Sequence, residues 1–206
     1  MSPATHIKIC GVTSEAQARS IADLGVESIG VNLVPESPRR VDEATAKAVV
    51  RAVGDRVLVV AVVAWSGLEE LRTLRDRTGV GCLQLHGDVP DAALEELLPH
   101  AYRAVPVARA DDVVLAGQAP GEYVMVDAKV DGALGGTGHT FDWRLVVELA
   151  RKRKLVLAGG LRPENVARAI ALVHPFCVDV ASGVESAPGI KDLDRVRAFV
   201  DAVRTA

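Results

Sequence analysis

Aromatic side chains are scarce: two Trp, two Tyr and three Phe make up 3% of 206 residues. So few stacking platforms argue against a protein that tracks single-stranded nucleic acid. Charge of one sign is lacking too, with 24 basic against 27 acidic side chains, a net charge of −3 and no block of five or more like charges. No long-range field therefore draws the chain to nucleic acid or an anionic membrane, and any anion site must be local. Cysteine occurs three times, at Cys10, Cys82 and Cys177, without a C-x-x-C pair or metal-ligand spacing. That usage fits free thiols in a reducing cytoplasm. The most apolar run, Val57 to Trp65, falls far short of the roughly 18 residues of a membrane span. The opening Met-Ser-Pro-Ala-Thr-His lacks the basic and apolar regions of a signal peptide. The expectation is a soluble cytoplasmic protein whose partner is a small molecule.

With 49% hydrophobic residues and no Pro/Gly/Ser-rich linker, residues 1–206 read as one domain with a substantial core. Short β-branched runs alternate with amphipathic stretches, as in repeated βα units. Eight strands are expected: Ile7–Cys10, Ser28–Leu33, Val57–Val63, Cys82–Leu85, Tyr102–Val107, Tyr123–Asp127, Leu155–Ala158 and Cys177–Val180. Ser14 with Gln17, and Ser66 with Glu69, have capping-box spacing for the first and third helices, and Pro163 suits the first turn of the seventh. Val166, Ala169, Ile170 and Val173 form one face of that seventh helix, and Leu193, Val196, Val200 and Val203 one face of the last. The fifth helix is the weakest, with only Asp111–Gly117. Eight βα units favour closure into an α/β single-domain (β/α)8 TIM barrel, the alternative being a doubly wound open sheet with two exposed edges.

Such barrels place chemistry at the C-terminal ends of their strands. Alternation puts Lys8 and Cys10 on one face of the first strand, opposite Ile7 and Ile9. If that face points inward, the ammonium favours the thiolate and lowers the thiol pKa; otherwise Cys10 is a small packed residue. Asp127 ends the sixth apolar strand, where a carboxylate caps a turn or does chemistry. Glycines at 135, 136 and 138 form a turn or lid and fail the P-loop pattern, since His139 stands where Lys is required. Gly159-Gly160 and Ser182-Gly183 follow strands seven and eight, where this fold binds phosphate through backbone N–H groups. Asp179 should meet Lys8 inside a closed barrel, because strand eight then neighbours strand one. Arg39 can fork onto a carboxylate or remain a solvated surface group, and His86 at the end of strand four is either a ligand contact or a satisfied strand end.

Taken together, Lys8-Ile-Cys-Gly-Val-Thr13, Ser37-Pro-Arg39, Leu83-Gln-Leu-His-Gly87, Gly135-Gly-Thr-Gly138 with Phe141-Asp-Trp143, Leu157-Ala-Gly-Gly-Leu161 with Pro163-Glu-Asn165, and Val178-Asp-Val180 with Ser182-Gly-Val-Glu185 and Pro188-Gly189 resemble the phosphoribosylanthranilate isomerase family. The match runs in order from residue 7 to about residue 192. The resemblance implies a (β/α)8 barrel that performs an Amadori rearrangement in tryptophan biosynthesis, converting N-(5-phospho-β-D-ribosyl)anthranilate to 1-(2-carboxyphenylamino)-1-deoxy-D-ribulose 5-phosphate. It implies no metal and no organic cofactor, and a monomer or homodimer. It assigns Cys10 as general base, Asp127 as general acid and Arg39 as the anthranilate carboxylate contact. Gly159, Gly160, Ser182 and Gly183 become the phosphate site, with Lys8, His86 and Asp179 in the substrate pocket. The chain departs from the family pattern at Ala181, which removes a hydroxyl near the pocket, and at Gly30-Val-Asn-Leu33 and Val62-Val-Ala-Trp65, which bear on packing around the anthranilate ring. Rival readings are another phosphosugar isomerase or epimerase on this barrel, and a phosphate-ligand binder without catalysis. The pairing of Cys10 with Asp127 argues against both.

Overall fold

The computed structural model describes residues 5–128 and 141–206. The glycines at 135, 136 and 138 and His139 lie outside the described residues. Eight parallel strands, β1 (His6–Cys10), β2 (Ser28–Asn32), β3 (Leu58–Ala64), β4 (Cys82–His86), β5 (Ala101–Val107), β6 (Tyr123–Ala128), β7 (Lys154–Leu157) and β8 (Cys177–Val180), close in sequence order into a barrel. Closure is the β1–β8 pairing, whose register sets Lys8 opposite Asp179. The helices that follow the strands are α1 (Glu15–Ala22), α2 (Glu43–Val53), α3 (Leu68–Thr78), α4 (Asp91–Leu97), α5 (Ala110–Gln118), α6 (Val147–Lys152), α7 (Val166–Val173) and α8 (Leu193–Arg204). None of the described helices is long and apolar enough to cross a membrane.

Strands buried on both faces read as unbroken apolar runs rather than alternating ones, and the Leu-Val-Val-Ala-Val-Val-Ala of β3 is such a run. The outward residues, among them Ile7, Ile9, Ile29, Leu83, Leu85 and Leu157, meet the helices in one large apolar layer. The inward residues form a second, smaller cluster of Val60, Cys82, Tyr102, Ala104, Met125, Val156, Ala158 and Cys177. Lys8 and Asp179 lie buried on this inner side, so the barrel axis carries charge as well as apolar filling.

Local chemistry sets most helix starts. Ser14 accepts the Gln17 N–H at 3.3 Å ahead of α1, and Asp42 and Asp192 cap α2 and α8 in the same way. Three expectations shift. The N-cap of α3 is Gly67, at φ +117°, and Ser66 makes no capping bond. Pro163 precedes α7 rather than opening it, because Asn165 first builds a turn: its Oδ1 accepts the Arg162 N–H at 2.9 Å and its Nδ2 donates to the Gly160 carbonyl at 2.9 Å. On α8, Leu193 sits in the first turn beside its cap and is 41% exposed, while Phe199 joins Val196, Val200 and Val203 in the core. The buried face expected of α7 is present, with all four of its residues in the core. A small antiparallel hairpin, β9 (Glu185–Ala187) and β10 (Ile190–Lys191), follows β8 and was not anticipated.

Replacing Asp179 by Ala strands the Lys8 ammonium inside the barrel, and urea unfolding should register a loss of about 3–5 kcal/mol. The double variant Lys8→Met, Asp179→Leu should recover most of it. A single-variant loss below about 1 kcal/mol would mean that the pair does not hold the β1–β8 seam.

Candidate active site

The strand C-terminal ends and the loops after them enclose a cavity of 340 Å³, a size suited to a small organic ligand. Cys10, Asn32, Arg39, Gln84, His86, Asp127, Gly159, Gly160, Asp179 and Ser182 all reach its wall. Its floor is a connected polar layer. Lys8 Nζ donates to Asp179 Oδ2 at 2.8 Å and to Gln84 Oε1 at 2.8 Å. Tyr102 Oη donates to the same Gln84 oxygen at 2.9 Å, and Gln84 Nε2 stands 2.9 Å from His86 Nε2. Burial alone would discharge Lys8, but the Asp179 carboxylate overrides it and holds the ammonium well above its ordinary pKa. For His86, burial is the main cause of a pKa lowered to about 4, with the Lys8 charge adding to it. His86 is thus neutral at physiological pH. Asp179 lines the cavity, and its Oδ1 is buried and makes no hydrogen bond among the described residues.

Cys10 ends β1 above Lys8, and its register partner on β2 is Gly30. A Cβ at Gly30 would lie 2.7 Å from Cys10 Sγ, so the glycine makes room for the thiol. The expected lowering of the thiol pKa is not what this environment produces. Desolvation pushes Cys10 above the ordinary thiol value; Lys8 and Lys191 pull the other way, and Asp179 adds to the rise. Burial of the thiol, which only the closed barrel brings about, outweighs the nearby ammonium.

Asp127 lies in β6, 9% exposed, and its Oδ1 accepts the Ala128 N–H at 2.8 Å. Gly159, at φ +90°, passes so close that a Cβ there would sit 2.5 Å from the Ala128 nitrogen and 3.0 Å from Asp127 Oδ1. The glycine turn after β7 therefore serves the carboxylate as well as the cavity wall. Gly160 turns with it, at φ +61°. Across the mouth Ser182 opens a short 3-10 turn, Ser182–Val184. Gly183 lies behind it, packed where a Cβ would fall 2.0 Å from the Leu161 carbonyl oxygen.

Arg39 is held by Glu185, which accepts from its Nε and Nη2 at 2.8 Å each. Lys191 donates to Glu185 at 2.8 Å and to the Ala181 carbonyl at 3.0 Å. Burial works against ionisation of Glu185, yet its bonds to Arg39 and Lys191 keep its pKa below the ordinary value. Glu185 thus ties two cations together and leaves Nη1 of Arg39 outside the fork.

Of the residues singled out from the sequence, Cys10, Arg39, His86, Asp127, Gly159, Gly160, Asp179 and Ser182 line one cavity. Lys8 and Gly183 are not on its wall: Lys8 lies beneath it, 2% exposed, and Gly183 supports it from behind. The predicted Lys8–Asp179 ion pair is present at 2.8 Å. Gln84, Tyr102, Glu185 and Lys191 were missed. Strand alternation signalled Gln84, two residues from His86 on the same face; Lys191 gave no sign, since its hairpin was not foreseen.

A (β/α)8 barrel that gathers a thiol, a carboxylate, a held guanidinium and two glycine-bearing turns around one cavity at its strand ends belongs to the barrel enzymes that perform acid–base chemistry on anionic small molecules. Residues 7–202 match the family model for N-(5'-phosphoribosyl)anthranilate (PRA) isomerase, and the chain belongs to that family. It is 43% identical over 206 residues to the N-(5'-phosphoribosyl)anthranilate isomerase of Pseudomonas aeruginosa strain LESB58, covering 98% of this chain and 97% of the relative. Among solved structures, the phosphoribosyl anthranilate isomerase of Thermotoga maritima superposes with a TM-score of 0.91 at 32% identity, covering 98% of this chain and all of the other. A phosphoribosyl anthranilate isomerase in complex with reduced 1-(o-carboxyphenylamino)-1-deoxyribulose 5-phosphate superposes with a TM-score of 0.88 at 29% identity, over 98% of this chain and 100% of the other.

Because His86 binds its proton more weakly in the fold than in the unfolded chain, the unfolded state takes up more protons between about pH 6.5 and about pH 4. Stability should fall as pH drops through that window, by at most about 3 kcal/mol from this group. Urea unfolding at both ends of the window, with His86→Asn beside the wild type, should show a smaller pH dependence in the variant. Gly30→Ala should leave the fold intact yet displace Cys10 Sγ, slowing turnover by roughly tenfold or more. A Gly30→Ala enzyme at wild-type rate would show that the thiol has room to move.

Proposed function

We propose that this chain catalyses the Amadori rearrangement of N-(5-phospho-β-D-ribosyl)anthranilate, with Asp127 as general acid and Cys10 as general base. The observation that carries the assignment is the arrival of both groups, from β1 and β6, on one cavity that also holds Arg39 and the glycine turns. Asp127 delivers a proton to the ribose ring oxygen as the C1–O bond breaks, and the anthranilate nitrogen lone pair completes an iminium. The Cys10 thiolate removes the proton from C2, and the C–H electrons form a C1–C2 double bond while the nitrogen regains its lone pair. The resulting enolamine loses its C2 hydroxyl proton and gains one at C1 to become the ketone.

The raised thiol pKa does not oppose this sequence. The cationic iminium appears beside Cys10 when a base is needed, and a nearby positive charge favours the thiolate. Asp127 must hold a proton at the first step, and closure of the ligand over it would favour that state by excluding water. Arg39 keeps Nη1 free of the Glu185 fork, leaving an N–H edge for the anthranilate carboxylate. Backbone N–H groups at Gly159, Gly160 and Ser182 suit a phosphate, with Gly183 shaping the turn, and Asp179 Oδ1 suits a ribose hydroxyl. Lys8 acts from beneath the cavity through Asp179 and Gln84 rather than by touching substrate. We place the protein in the cytoplasm, where a catalytic thiol stays reduced, and read residues 1–206 as one domain.

Turnover is followed by the fluorescence of substrate generated from anthranilate and phosphoribosyl pyrophosphate by a transferase. Cys10→Ser and Asp127→Asn should each lose about 10²–10⁴ of kcat/KM. In Asp127→Asn, where no acid has to stay protonated, the residual kcat/KM should still be rising as pH passes 9.0, the ordinary thiol value, since the thiolate fraction of the free enzyme grows with pH. A folded wild type without turnover, or a Cys10→Ser enzyme at full rate, would overturn the assignment.

A further inference from the structure

The polar layer beneath the cavity has a direction, and the direction reaches the ligand. Lys8 Nζ carries only hydrogens to give, so the end of the Gln84 amide facing it at 2.8 Å must be the oxygen. Tyr102 Oη, at 2.9 Å from the same atom, occupies the second lone pair. A flipped amide would press its NH2 against an ammonium. With Oε1 settled, Nε2 of Gln84 is a donor, and its partner at 2.9 Å, His86 Nε2, must present a lone pair. We propose that Gln84 is a positioning residue that holds His86 as the neutral Nδ1–H tautomer, so that His86 meets the substrate as a hydrogen-bond donor to an oxygen atom and not as a base.

Four further observations support this. The Asp179 carboxylate fixes the charge on Lys8 and so starts the sequence of donors. His86 stands on the cavity wall with Nε2 committed to Gln84, which leaves Nδ1 for a ligand; no partner for it exists among the described residues. The ring is neutral at working pH, its pKa lowered to about 4 chiefly by burial. Gln84 itself is 2% exposed and tied at both ends of its amide, so its orientation does not depend on solvent. The identity of the acceptor, an oxygen of the phosphosugar or of the anthranilate carboxylate, rests on the isomerase reading; the tautomer does not.

Nitrogen-15 NMR of histidine-labelled protein tests the tautomer directly, with His86 assigned by its loss in His86→Asn. In wild type at neutral pH, His86 should show a protonated Nδ1 and a bare Nε2. In Gln84→Met, which keeps the volume and removes the donor, the protonated Nε2 form should appear, and KM should rise roughly tenfold with a smaller change in kcat. Gln84→Glu offers an acceptor in place of a donor, so it should move the proton to Nε2 even if the Met variant fails to fold. Wild-type His86 found protonated on Nε2, or unchanged in the variant spectra, would overturn the proposal. Loss of the isomerase reading would look different: no turnover by the wild type, with the tautomer as described.

Discussion

The ion pair between Lys8 and Asp179 is the constraint on which the rest of this barrel depends. It sits at the seam where β8 meets β1, and both partners are buried. A lone charge there would be untenable, so each residue requires the other and the two together require closure. From that pair the polar layer under the cavity takes its order: the ammonium orients Gln84, Gln84 orients His86, and Asp179 keeps one oxygen at the cavity wall. The same interaction explains why the axis is not a uniform apolar core.

The state of the thiol is set mainly by burial. The Lys8 ammonium pulls the Cys10 pKa down, but desolvation outweighs it and Asp179 takes back part of that pull. On the proposed mechanism, Cys10 is then a base that rests protonated and ionises more readily when a cation forms on the substrate. A resting thiolate would be more nucleophilic and more open to oxidation; a resting thiol is the quieter arrangement for a proposed reaction without a covalent step.

The upper rim follows a parallel logic. Arg39 does not stand free: Glu185 holds its fork, and Lys191 holds Glu185. This costs the guanidinium one of its edges and fixes the direction of the other, so that the cation is placed before a ligand arrives. Glycines act by close approach in two places: Gly30 beside Cys10, and Gly159 against the Ala128 nitrogen and Asp127. In both, the missing side chain leaves room for a polar side chain of the cavity wall.

The eight strands, within a residue or two at each end, and the buried face of α7 were legible in the sequence, because apolar period and β-branching are local properties. So were most of the site residues, since short polar or glycine-bearing strand ends interrupt those runs at Cys10, His86, Asp127, Gly159 and Ser182. The seam pairing of Lys8 with Asp179 was legible once closure was assumed. What only the tertiary structure decided is how groups on strands far apart in the chain are buried and paired: that burial of Cys10 outweighs the pull of Lys8 on its thiol, that Gln84 joins β1 to His86, and that Glu185 and Lys191 come round on an unforeseen hairpin to hold Arg39. Periodicity tells which way a side chain points. Its partner, and therefore its protonation, is set by register and burial, which exist only once the barrel has closed.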